Sequence, residues 1–428
     1  MPEFLTLLPP DEARALLLSH LTQPMTDSEW IDVPSALGRV LAEDIHAPHP
    51  LPDFRRSTVD GYAVRARDTH GASDSLPAYV DLVGEVPMGA APMFEISAGQ
   101  CALIYTGGML PTGADAVVML EYTQSVQRNE IEILRALADG ENVIRVGEDV
   151  AQGQIVQARG SLLRPAEIGG LMALGIVKVN VLKKVRAGLI STGDEVIDPG
   201  QSPRPGQVRD VNSYTLGALV EKSGGIAKLY GIVSDELEAL KDAVARALAE
   251  CNLVIVTAGS SASTRDRTAD VIRWLGQPGV LVHGINTRPG KPTILGVCNG
   301  KAVIGLPGNP VSALVNGYLF VVPVIEKLLG VLPRPKPTVL ARLTVNLSSQ
   351  AGREDWWPVR LTTETQRQGD LSHRRFRGSV VEGSAYQAEP IFGKSNLIFT
   401  LASADGLLRI PPDATGLGAG EIVEVFLI

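Results

Sequence analysis

The stretch Val185-Arg186-Ala187-Gly188-Leu189-Ile190-Ser191-Thr192-Gly193-Asp194-Glu195 sets the fold class of this chain. Its first six residues form a short apolar run, the pattern of a strand buried on both faces, and the run ends in small and acidic residues. The same shape recurs twice. Leu253–Val256 leads into Thr257-Ala258-Gly259-Ser260-Ser261, and Ala302–Leu306 leads into Pro307-Gly308-Asn309-Pro310-Val311-Ser312. Helices are expected between these runs. One begins at Asn212 and is stopped by Gly224-Gly225; another spans about 236–250, with Leu237, Leu240, Val244, Ala247 and Leu248 on one face and Asp235 and Glu238 spaced as a capping box. Asn299-Gly300, between Thr293–Val297 and Ala302–Leu306, predicts a two-residue hairpin. Asn309 followed by Pro310 predicts a capped helix start. Strand–helix alternation of this kind predicts a mostly parallel sheet with helices on both faces.

Outward from this region the pattern changes. A helix is expected over 11–22, capped by Asp11, and another runs through Leu174 to Gly175. Between them lie short β-rich runs, Tyr79–Val83, Ala102–Tyr105, Ala116–Leu120 and Glu130–Leu134, separated by glycine and proline turns. After Pro333, Pro335 and Pro337 come further runs, Val339–Val345, Trp356–Leu361, Asn396–Leu401 and Ile422–Ile428. The expected domains are therefore a discontinuous helical one (1–49 and 148–182), an inserted β-rich one (50–147), the α/β domain (183–331) and a C-terminal β domain (332–428).

Composition narrows the function classes. A chain of 428 residues predicts about three domains. Its net charge of −8 argues against a dedicated nucleic-acid binder. Cys101, Cys251 and Cys298 are far apart, which fits neither a disulfide frame nor a zinc site. No uninterrupted apolar run approaches membrane-spanning length, the best being Gly317–Ile325, broken by Pro323. The N-terminus lacks the basic start of a signal peptide, so a cytoplasmic location is expected.

Open parallel sheets bind ligands beyond the carboxyl ends of their strands, so the three polar clusters are expected to line one crevice. Glu195, Asp235 and Asp266 are candidate hard-oxygen ligands suited to Mg²⁺. Arg288 and Lys291, on either side of Pro289-Gly290, suit an oxyanion or phosphate. Plainer roles stand beside these: Asp235 as a helix cap, Glu195 and Asp266 as surface charges, Trp356-Trp357 as packing, and His373–Arg377 as a solvated basic loop. Carboxylates and cations without a nucleophilic triad, reactive cysteine or Walker loop suit metal-assisted cleavage or transfer of a phosphate-bearing ligand.

Taken in order, these clusters resemble the molybdopterin molybdenumtransferase family, the bacterial MoeA and gephyrin E-domain type. The resemblance starts at Ser57-Thr58-Val59-Asp60-Gly61-Tyr62-Ala63 and continues through Thr106-Gly107, Pro111–Val118 and Glu121. It then takes in Gly147-Glu148-Asp149, Ser191–Glu195, Pro289-Gly290-Lys291-Pro292 and Gly305–Ser312. Ala258–Asp266 departs from the family's glycine-rich loop through Ser260 and Thr264, and Arg288 stands where a lysine is common. The resemblance implies an enzyme that takes adenylylated molybdopterin and molybdate, inserts the metal with Mg²⁺ and releases AMP.

The architecture it implies is multidomain α/β plus β. A central three-layer α/β/α domain with a mostly parallel, molybdopterin-binding-like sheet is accompanied by an inserted small β domain, a helical and extended linker domain and a C-terminal β-barrel-like domain. It further implies a homodimer, with molybdopterin adenylyltransferase and molybdoenzyme maturation proteins as partners, and neither nucleic acid nor membrane. By motif position, Asp60, Thr106, Asp149, Glu195, Asp235 and Asp266 look catalytic. Lys291, Pro292, Ser312, Arg353 and Ser395 look like molybdate-side groups. Ser191, Thr192, Gly193, Asp194, Gly259, Ser260, Ser261, Arg288, Pro307, Gly308, Asn309 and Pro310 complete the expected binding surface. A pterin-binding scaffold without turnover and a molybdopterin adenylyltransferase are the alternative readings.

Overall fold

The computed structural model describes residues 7–21, 24–127, 129–258, 262–363 and 386–428, the side chains of 262–266 excepted. The chain divides into two units, a smaller one of residues 30–37 and 43–179 and a larger one made of the rest.

The smaller unit is built on a six-stranded sheet in the order Ala116–Met119, Gly61–Val64, Gln100–Ile104, Ala78–Glu85, Glu130–Ile133, Thr123–Gln127. Successive residues point to opposite faces of a strand. Val64, Cys101 and Val118 therefore enter one buried cluster, while their neighbours Ala63, Ala102 and Val117 enter another. The sheet is thus a curved half-barrel covered on both sides, and each of the four expected β runs falls on one of its strands. Gly61 is required by a close backbone approach: a Cβ there would stand 1.8 Å from the Val118 carbonyl oxygen. Ile45–His46 pairs with Ile155–Gln157, and the helix Pro165–Ala173 leads through Leu174 to Gly175 at φ 70°.

In the larger unit the central sheet runs Gly225–Val233, Val185–Thr192, Leu253–Ala258, Lys301–Pro307, Ile294–Cys298, Pro278–His283. The first four strands are parallel, the fifth runs antiparallel to them and the sixth antiparallel to the fifth. Asn299 (φ 52°) and Gly300 (φ 80°) both adopt the positive φ of a type I′ hairpin, as that dipeptide predicts. Helices Leu237–Glu250 and Ala262–Leu275 bury Leu240, Val244, Ala269 and Ile272 on one face of the sheet. Helix Asn212–Lys222 packs with the long helix Pro310–Leu328 on the other. That 19-residue helix is apolar enough to cross a membrane by length and composition, beyond the broken run read from the sequence, but 72% of its most apolar window is buried as protein core.

The C-terminal strands Thr338–Leu343, Glu354–Thr363, Tyr386–Pro390, Gly406–Ile410 and Ile422–Leu427 close into a five-stranded barrel around Leu343, Val359, Leu408 and Val425. Thr287–Arg288 joins it from the α/β region, pairing in parallel with Glu354–Asp355.

Local expectations are corrected at three places. The first helix spans Pro10–Ser19, with Pro9 at the cap position. Because Pro10 starts the helix one residue early, Asp11 lies in its first turn and pairs with Arg14 at 2.6 Å. Asp235 and Glu238 form no capping box, because the helix starts only at Leu237 with Glu236 at its cap. Asn396–Leu401 is not a strand. The barrel ring closes without it, leaving no edge to pair with; a short helix, Phe399–Ala402, forms instead and Phe399 remains 78% exposed. Tyr386–Pro390 and Gly406–Ile410 are strands that the sequence reading did not anticipate. The basic run 373–377 lies outside the described residues.

Candidate active site

A cavity of about 720 Å³ opens in the larger unit where the α/β region meets the barrel. Its wall carries Arg288, Lys291, Pro292, Pro307, Asn309, Ser312, Arg353 and Ser395, residues that the sequence spreads over more than a hundred positions. Three local devices bring them together. The strand pairing of Thr287–Arg288 with Glu354–Asp355 lays the 288–292 loop beside the barrel, and the Thr287 hydroxyl donates to the Glu354 carbonyl at 3.1 Å. The Val311 amide donates to the Ser395 carbonyl at 3.0 Å, drawing the 391–397 loop onto the helix start. Gly290, at φ 106°, turns the loop back so that Arg288 and Lys291 share one rim.

The two arginines are held by partners. Arg353 makes a two-pronged pair with the buried Asp355, Nε to Oδ1 at 2.7 Å and Nη2 to Oδ2 at 3.0 Å. The Arg288 guanidinium lies 5.5 Å from the centre of the Trp357 ring, and the edge of that ring meets Phe392. A cation over a tryptophan face is attracted by the ring's quadrupole, a contact that arginine makes more often than lysine. On the next strand position the buried Glu354 accepts from Trp356 Nε1 at 2.7 Å and from Arg409 Nε at 2.8 Å. Trp356, Trp357 and Lys394 line the cavity too. The sequence predicts packing roles for the two tryptophans and does not mark Lys394, because their place in the cavity wall depends on which loops the barrel brings together.

Of the three strand-end clusters expected to line one crevice, only the third lines this cavity; the described residues of the first two, Ser191–Glu195 and Thr257-Ala258, form a second set in the same unit. The Ser191 hydroxyl lies 2.9 Å from that of Ser213 and 3.1 Å from that of Thr257, joining two strand ends to a helix start. Asn212 Nδ2 donates to the Gly308 carbonyl at 2.8 Å. The buried Thr192 hydroxyl has no hydrogen-bond partner among the described residues. Gly193 turns at φ 137°, and a side chain there would crowd the Glu195 carboxylate. Asp194 Oδ1 accepts weakly from the Asp235 amide at 3.4 Å, and Arg267 donates to the Asp235 carbonyl.

Asn309 and Pro310 do start the long helix, although the Asn309 side chain makes no capping bond. Gly259, Ser260, Ser261 and the Asp266 side chain lie outside the described residues. Among the described residues no three His, Cys, Asp or Glu side chains group closely enough to hold a metal.

Asp60, Thr106 and Asp149 belong to the smaller unit. Asp60 Oδ1 accepts from the Thr106 amide at 2.7 Å and from its hydroxyl at 2.9 Å. These two bonds, the amide first, hold the exposed Asp60 carboxyl below its ordinary range. Asp149 is exposed.

Comparison with known proteins covers nearly the whole chain. Residues 8–175 match the MoeA N-terminal region (domain I and II), residues 188–327 a "Probable molybdopterin binding domain", and residues 340–428 the MoeA C-terminal region (domain IV). A molybdopterin molybdenumtransferase of Nostoc sp. is 35% identical, over 93% of this chain and 88% of that one. The chain belongs to the molybdopterin molybdenumtransferase (MoeA) family. A molybdopterin molybdenumtransferase of Haemophilus influenzae is 32% identical, over 97% of each chain. A crystal structure of the molybdopterin biosynthesis MoeA protein of Pyrococcus horikoshii superposes with a TM-score of 0.83 at 32% identity, covering 99% of this chain and 100% of that one. Within this family frame, the cavity gathers all five of the residues expected on the molybdate side.

Proposed function

We propose that this protein inserts molybdenum from molybdate into adenylylated molybdopterin and releases AMP. The observation that carries the reading is the cavity with Arg288, Lys291, Arg353 and Lys394 on its wall beside Ser312 and Ser395, a cationic and hydroxyl-lined pocket suited to a tetrahedral oxyanion. One cation 4 Å from an anion contributes roughly 4 kcal/mol at an effective dielectric of about 20. A helix start adds only about 0.3–1 kcal/mol. The side-chain cations, rather than the Asn309 turn, therefore dominate anion affinity.

The hard-oxygen set of Glu195, Asp235 and Asp266 suits Mg²⁺ in kind. Glu195 is exposed, with no cation paired to it among the described residues, and lies just past the end of strand Val185–Thr192. When bound, the ion would neutralise phosphate charge on the adenylylated substrate. Asp60, Thr106 and Asp149 belong to the same reaction, in a cytoplasmic homodimer that exchanges substrate with molybdopterin adenylyltransferase and molybdoenzyme maturation proteins, and with no nucleic acid or membrane. The test is AMP release from adenylylated molybdopterin with molybdate and Mg²⁺. Absence of release with every oxyanion tried would overturn the proposal.

A further inference from the structure

Asn316 is completely buried in the long helix, one turn after Ser312. Its Nδ2 donates to the Pro289 carbonyl at 3.1 Å and to the Ser312 carbonyl at 2.8 Å. One amide group thus ties the loop bearing Arg288 and Lys291 to the helix bearing Asn309 and Ser312. The two acceptors fix which way the amide points, since turning it over would set its oxygen against two carbonyls. Gly290 packs directly onto it, and a Cβ at 290 would stand 1.7 Å from Nδ2. The other end of the loop is closed on itself, by the Thr293 hydroxyl donating to the Gly290 carbonyl at 2.8 Å and the Ile285 amide donating to the Lys291 carbonyl at 2.8 Å.

As a stabilising residue Asn316 is poorly chosen. Its Oδ1 is buried with no hydrogen-bond partner among the described residues, a cost that an apolar side chain of similar volume would avoid. The helix changes to a π-helical stretch at Gly317–Val321 immediately after it, an irregularity that often accompanies functional sites.

We propose that Asn316 is a positioning residue for the oxyanion subsite. It sets the separation between the Arg288–Lys291 rim and the Asn309–Ser312 rim, and with it the grip on a molybdate-sized anion over the smaller sulfate. This rests on the oxyanion reading of the cavity.

The experiment is isothermal titration of the full-length protein with sodium molybdate and with sodium sulfate, together with thermal midpoints, for wild type, Asn316→Leu, Gly290→Ala, Lys291→Ala and Asn316→Leu/Lys291→Ala. Asn316→Leu is expected to keep a near-wild-type midpoint and to weaken molybdate binding about tenfold or more, equivalent to about 1.4 kcal/mol. Its preference for molybdate over sulfate falls, and adding Lys291→Ala then costs less than it does in wild type, because the lysine is already displaced. Wild-type molybdate affinity in Asn316→Leu, or full additivity with Lys291→Ala, would overturn the proposal. Should Asn316→Leu not fold, Gly290→Ala moves the loop with the helix sequence intact, and unchanged molybdate binding in that variant overturns it equally. Failure of wild type to bind molybdate at all is a separate result that removes the oxyanion reading itself.

Discussion

Replacing Arg353 by alanine separates what the cavity needs for stability from what it needs for its ligand. Asp355 is 1% exposed, and Arg353, its partner through two hydrogen bonds, has a side chain 26% exposed. Removing one member of a buried ion pair typically costs about 3–5 kcal/mol, because the other charge is left uncompensated. Arg353 borders the cavity, so water can enter where the guanidinium was, and the expected loss in Arg353→Ala is at the lower end, about 3 kcal/mol. Neutralising the stranded carboxylate removes most of that penalty. The double variant Arg353→Ala/Asp355→Asn should therefore be more stable than Arg353→Ala by about 1–2 kcal/mol, while molybdate binding stays as weak as in the single variant. Urea unfolding followed by tryptophan fluorescence is suited to the measurement, since Trp356 and Trp357 adjoin Asp355 on the same barrel strand. The chain has several domains, so the midpoint of the barrel transition is the quantity to compare. A double variant no more stable than Arg353→Ala would refute the stranded-charge reasoning.

Lys291 is exposed and makes no salt bridge among the described residues, so Lys291→Ala should abolish AMP release without moving the unfolding midpoint; an unchanged rate removes it from the mechanism. Thr106→Val deletes one of the two bonds that lower the Asp60 pKa, and carboxyl NMR titration should find the Asp60 midpoint raised toward its ordinary value. The sign follows from that depressed folded-state value. Any stabilisation from Asp60 is present above its unfolded pKa and lost as pH falls through the lower folded one, and the variant narrows that window. Burial pushes the Cys101 thiol up to about 12 and the Cys298 thiol up to about 11, so neither should react with a thiolate-selective reagent at pH 8 until the protein unfolds. Rapid labelling of the native protein would contradict this.

The sequence alone determined the elements whose signal is local. The Val185–Ile190, Leu253–Val256 and Ala302–Leu306 runs are buried parallel strands because a run apolar on both faces fits only the middle of a covered sheet. Asn299-Gly300 is a hairpin because few other dipeptides tolerate two positive φ angles. The ordered motifs from Asp60 to Ser312 were legible in the same way, and so was the family.

Tertiary structure alone decided which of those residues meet. Arg353 reaches the Lys291 loop because Thr287–Arg288 pairs with Glu354–Asp355, and Ser395 reaches the helix start because the Val311 amide bonds its carbonyl, contacts between segments 66 or more residues apart that no local pattern encodes. The same holds for Asn396–Leu401, apolar enough for a strand but denied one when the barrel closes without it, and for Trp357, which became a cavity wall when Arg288 was laid against it. Strand and helix preferences are settled over a few neighbouring residues. A binding cavity is settled by which distant backbones exchange hydrogen bonds, and that depends on the whole packed chain.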